Sequence, residues 1–125
     1  IKEIKQENKE ASLINISNLY SLLPVFLDSY TDNRTTINLK WTKAHIVKAY
    51  AFVGNRNWNQ AITEIAQASD SYNSIMSDTE FINSKTYNIN KTYVCLKELQ
   101  NSSVKQDEDL FYIKYKCFME EINLL

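Results

Sequence analysis

Glycine and proline are almost missing: 125 residues contain one of each, Gly54 and Pro24. Average usage would supply about fifteen of the two together. Sandwiches, barrels and doubly wound sheets need many tight turns, and those turns are built from these residues, so such folds are excluded. A phosphate-cradling loop needs clustered glycines, and one glycine excludes it. Neither sign of charge dominates, with 14 basic and 15 acidic residues and a net charge of −1. A nucleic-acid binder shows a basic surplus or stripe, and this chain has neither. Long apolar runs are lacking too. The longest, Leu22 to Leu27, contains Pro24 and is far shorter than the ~20 residues of a spanning helix.

Equipment for chemistry is equally sparse. His45 is the only histidine, and no serine or cysteine motif flanks it to form a nucleophile–base pair. Two cysteines, Cys95 and Cys117, and one distant histidine cannot gather the three or four ligands of a zinc site. The Glu-x-x-His pair of helical carboxylate metal sites does not occur. The reading is therefore no enzyme, no catalytic residue, no metal and no cofactor, with His45 a half-buried packing residue.

What is present is helical periodicity. Leu13, Ile16, Leu19, Tyr20, Leu23, Phe26, Leu27 and Tyr30 recur at helical spacing and predict a first helix over about 11–30, kinked or broken just before Pro24. Six of the first ten residues are charged, so residues 1–10 read as a solvated lead-in and 11–125 as the folded domain. The polar stretch Thr31 to Thr36 is a connection. A second helix follows over about 36–53, and Gly54 is placed where a left-handed C-terminal cap is wanted. It has one face formed by Ile37, Trp41, Ala44, Val47, Ala51 and Phe52, and another by Leu39, Ile46, Tyr50 and Val53. A helix apolar on two sides is sandwiched between neighbours or offers one face to a partner, so helix two is read as central.

Asn57 caps a third helix running to about Ser77, with one stripe through Trp58, Ala61, Ile62, Ile65, Ala68, Tyr72, Ile75 and Met76. Asp78 or Thr79 caps the next, which extends to about Asn101 with a possible interruption between Asn83 and Asn88. Asp107, Glu108 and Asp109 open the last helix, where the macrodipole favours acidic residues. The fold class is all-α: a single antiparallel bundle of four to five helices. Trp41 and Trp58 are its expected core anchors. With the last connection centred near Lys105 and Gln106, Cys95 and Cys117 stand at nearly the same height. Proximity without a bond is expected, with a disulfide as the alternative.

Two groups stand out as candidates for interaction. Tyr50, Tyr112 and Tyr115 lie off the main stripes and suit a surface for a protein or peptide partner. Lys48 and Glu121 fall on apolar faces, where they form a buried ion pair or reach the bundle margin with their charged ends in water.

The segment Ala49-Tyr50-Ala51-Phe52-Val53-Gly54 with Trp58-Asn59-Gln60-Ala61-Ile62 resembles the turn of a single tetratricopeptide hairpin, although the glycine-to-aromatic gap is four and not two, and no second copy follows. More broadly, Leu19-Tyr20-Ser21-Leu22-Leu23-Pro24-Val25-Phe26-Leu27-Asp28-Ser29-Tyr30, with Trp41 and the hairpin from Trp58 to Ala61, is similar to all-helical domains of predicted clostridial lipoproteins. That resemblance implies an extracytoplasmic domain held to a membrane only through an upstream anchor, and the opening at Ile1 without methionine fits a removed segment. The function expected is non-catalytic binding or scaffolding on a membrane-anchored bacterial protein. The alternative is a cytoplasmic protein–protein adaptor with tetratricopeptide-like hairpins.

Overall fold

The computed structural model describes residues 2–31 and 33–125, with side chains from residue 8 onward. Six helices follow in order: α1 (Lys2–Asp28), α2 (Arg34–Gly54), α3 (Trp58–Ser74), α4 (Thr79–Ser84), α5 (Thr86–Val104) and α6 (Glu108–Ile122), with one 3₁₀ turn at Ile75–Ser77 between α3 and α4. No strand occurs among the described residues. The count exceeds the expected four to five because the fourth helix is split at Lys85. There the hydroxyls of Ser84 and Thr86 donate to the carbonyls of Phe81 and Ile82, 2.8 Å each, and compete with continuation of the helix.

α2, α3, α5 and α6 close a ring in which each packs on the next, α6 returning to α2. Their shared core is Ile46 and Val53 of α2, Ile65 and Tyr72 of α3, Leu96 and Leu99 of α5, and Phe111 and Phe118 of α6. The Tyr72 hydroxyl, fully buried, donates to Ile89 O at 2.6 Å and ties the end of α3 to the start of α5. The other face of α2 keeps Ile37, Ala44 and Ala51 buried outside that core, on the side where α1 lies. Among the described residues α1 packs against α2 alone. Helix two is thus the sandwiched element, between the ring and α1.

The opening residues are helical from Lys2, continuous with α1, and α1 also continues through Pro24. Pro24 is buried, and its missing N–H deprives only the Tyr20 carbonyl of a helical partner. Gly54 differs from its expected role. It is the last residue of α2 with no left-handed backbone, and Arg56 takes that conformation in its place (φ 58°). What Gly54 supplies is closeness, since a Cβ there would stand 3.1 Å from Leu13 Cδ1 of α1.

Arg56 N–H donates to Val53 O and Asn57 N–H to Phe52 O, the paired bonds of a Schellman turn. The α5–α6 turn repeats it: Gln106 (φ 53°) donates to Ser103 O and Asp107 to Ser102 O. In both, the residue that closes one helix caps the next, Asn57 accepting from Gln60 N–H and Asp107 from Leu110 N–H. Neither tryptophan is a fully buried anchor. Trp58 is half-buried, edge-on to Phe111 at 6.1 Å, and Trp41 is half-buried outside the core. Tyr72, Phe111 and Phe118 are the large fully buried rings.

Candidate functional site

The three tyrosines singled out from the sequence come together. Tyr50 of α2 lies with its ring centroid 5.4 Å from Tyr112 and 4.6 Å from Tyr115, both on α6, and Phe111 joins them at 5.9 and 6.4 Å. All three tyrosines are half-buried against the core. Burial pushes the Tyr112 phenol up to about 12, with the Glu108 carboxylate adding to the rise. Burial likewise raises Tyr115, helped by Tyr50 and by Tyr20 of α1. The cluster therefore fills the space between α2 and α6 and leaves its edges to solvent.

The charges on apolar faces pair differently from the expected match. Glu121 takes Lys91 of α5 at 3.0 Å, and its Oε2 is buried without a hydrogen-bond partner. Lys114 reaches Glu98 at 2.9 Å. Lys48 makes no ion pair with Glu121 among the described residues. α5 lies beside α6, and Lys91, fully four helical turns along from the α5–α6 connection, stands level with Glu121.

His45 has one carboxylate beside it. Its Nδ1 is 2.8 Å from Glu64 Oε2 of α3, with both side chains largely covered, and its ring stacks on Trp41 at 5.7 Å. Neither the cleft between α2 and α6 nor the groove between α3 and α5 reaches this pair. The cleft, about 210 Å³, is lined by Thr36, Leu39, Lys40, Lys43, Ile122 and Asn123. Burial lowers the Lys43 ammonium from its ordinary value. The groove, about 270 Å³, is apolar and runs over Ile62, Ile65 and Val104. No three His, Cys, Asp or Glu side chains gather as a metal site among the described residues. No described helix is long and apolar enough to cross a membrane.

The most unusual surface is on α1, whose apolar residues recur at helical spacing. The structure separates them. Leu13, Tyr20 and Leu27 turn towards the bundle, whereas Ile16, Leu19, Leu23, Phe26 and Tyr30 are 59%, 66%, 48%, 61% and 73% exposed. The signal for this was in the sequence, because the twelve apolar residues from Ala11 to Tyr30 span more than the width one neighbour can cover. Comparison with family models, curated proteins and solved structures finds no match.

Proposed function

We propose that this chain is a non-catalytic binding or scaffolding domain, and that the outer face of α1 is where it binds. One observation carries the reading: a continuous row of large apolar side chains, half to three-quarters exposed, on a helix whose backbone, among the described residues, packs against α2 alone. Soluble monomers rarely leave such a patch open unless something covers it. The aromatic cluster of Tyr50, Tyr112 and Tyr115 is the second surface for a protein or peptide partner, reached from the α6 side. The His45–Glu64 contact fits a structural role, since the carboxylate occupies Nδ1 and both side chains are largely covered.

An extracytoplasmic setting on a membrane-anchored protein is part of the same proposal, supported by the similarity of the Leu19–Tyr30 segment to helical lipoprotein domains. The competing cytoplasmic adaptor is favoured by the α2–α3 hairpin, a helical pair closed by the three-residue connection Asn55, Arg56 and Asn57. Protease protection in intact and opened cells separates the two settings. A photo-crosslinking residue at position 19, compared with one at the exposed Asn90 of α5, tests the binding face in cells. Adducts from position 19 alone support it. Adducts from neither position, or equally from both, overturn it.

A further inference from the structure

α1 carries two seams, offset by one residue. The inner one, Leu13, Ser17, Tyr20, Pro24, Leu27 and Thr31, advances in alternating steps of four and three, and every member is buried or half-buried. The outer one, Ile16, Leu19, Leu23, Phe26 and Tyr30, advances in steps of three and four and is open. Alternation of three and four is the period at which helices wind round one another with side chains of one filling gaps of the next. The inner seam has its helix in α2. The outer seam has none.

We propose that the outer seam of α1 is covered by the same seam of a second copy, making a two-fold homodimer; this rests on the reading of α1 as the binding face. Three features favour that occupant. From Ile16 to Phe26 the seam spans about 15 Å along the helix, at 1.5 Å per residue, and Tyr30 extends it into the turn after Asp28. With roughly 90–160 Å² open on each of its residues and on the flanking Leu22, the face offers on the order of 700 Å². That is above the usual largest patch of a monomer and close to the ~800 Å² each partner brings to a stable interface.

The third feature is charge. From Ala11 to Leu27 the chain has no charged residue at all. Two copies therefore meet without like-charge repulsion, as a self-complementary two-fold contact requires. Over the seam's own stretch the same absence speaks against a lipid surface, because helices that lie in a membrane interface carry lysines and arginines beside their apolar face, and those of α1 stop at Lys9. Phe26 and Tyr30 already lie against each other, their ring centroids 4.6 Å apart and their planes tilted by 35°, so the two rings offer one joined surface.

Sedimentation equilibrium of the purified chain at concentrations up to about 100 µM tests the proposal. The expected result is a species of twice 14.6 kDa, nearly indifferent to salt because the seam is uncharged. The double substitution Leu19→Glu with Phe26→Glu, both at exposed positions, should weaken the dimer at least about a hundredfold while keeping the helical circular dichroism spectrum. Val94→Glu, exposed on α5, should leave dimerisation unchanged. A wild-type chain that stays monomeric throughout the range overturns the proposal, as does a dimer that survives the double substitution. Binding to phosphatidylglycerol vesicles that the double substitution abolishes would assign the face to lipid and overturn it too. A monomer in solution that still gives crosslinks from position 19 in cells ends the homodimer and leaves the binding face standing.

Discussion

The sulfur of Cys95 lies 2.8 Å from the sulfur of Cys117, across the α5–α6 hairpin, and both are free thiols. The register read from the Lys105–Gln106 connection therefore holds to the level of individual side chains. Burial, then the hydrogen bond with Cys117, pushes the Cys95 thiol up to about 12. Only the thiolate is nucleophilic, so Cys95 in the folded protein should alkylate at pH 8 at least about a hundredfold more slowly than an unfolded cysteine. Titration of the unfolded, unreduced protein should return two thiols. A count of zero would show that the pair had closed into a disulfide.

Arg56 and Gln106 hold left-handed backbone without being glycine. A side chain in that conformation costs roughly 1 kcal/mol, part of which glycine gives back through its freer unfolded state. Arg56→Gly and Gln106→Gly should therefore each raise stability by about 0.5–1 kcal/mol in urea unfolding. A loss from either change would show that its side chain contributes more than its backbone conformation removes.

High pH should be the weak side of this fold. Burial raises the ionisation of Tyr72, Tyr112, Tyr115 and Cys95 above their unfolded values, so in each the folded state favours the neutral form. The stability linked to that preference is fully present below the ordinary values of 9.0 for cysteine and 10.0 for tyrosine, and is lost as pH rises through the shifted ones. Melting temperature should be level between about pH 7 and 9 and fall steeply above. Tyr72→Phe should flatten that fall, at the expense of the bond to Ile89 O. A midpoint unchanged up to pH 11 would contradict the argument.

Ring burial orders the cost of truncation. Phe111→Ala and Phe118→Ala remove fully buried rings and should each cost about 3–5 kcal/mol. Trp41→Ala takes away a half-buried ring that packs on His45, and should cost about 1–2 kcal/mol. Equal losses at Trp41 and Phe111 in denaturant titrations would place Trp41 in the core after all.

The caps were the most legible part of the sequence. Asn57, Asp78 and Asp107 start α3, α4 and α6 because a short polar side chain can satisfy an open backbone N–H, a local effect that needs no knowledge of neighbours. Helix ends that depend on a neighbour were less so. Gly54 reads as a left-handed cap by residue type, yet its role is set by Leu13 on another helix. Lys48 and Glu121 each show an apolar surround but not which helix comes level with them, and Lys91 was off every stripe considered. The division of α1 into a covered and an open seam follows from how many helices pack on it. Periodicity gives the width of an apolar face and leaves open the number of its neighbours.

Because α1 rests on α2 alone while α2 also closes the ring with α6, the order of synthesis has a mechanical meaning. α1 leaves the ribosome before the one helix that can shelter its inner seam, and α2 emerges with its ring face bare until α6 is made. The α1–α2 pair is the first unit able to dock, and the ring core can pull tight only after Phe111 and Phe118 have been added. A nascent chain stalled between α2 and α3 should then carry a modest folding force, with the larger pull arriving at α6.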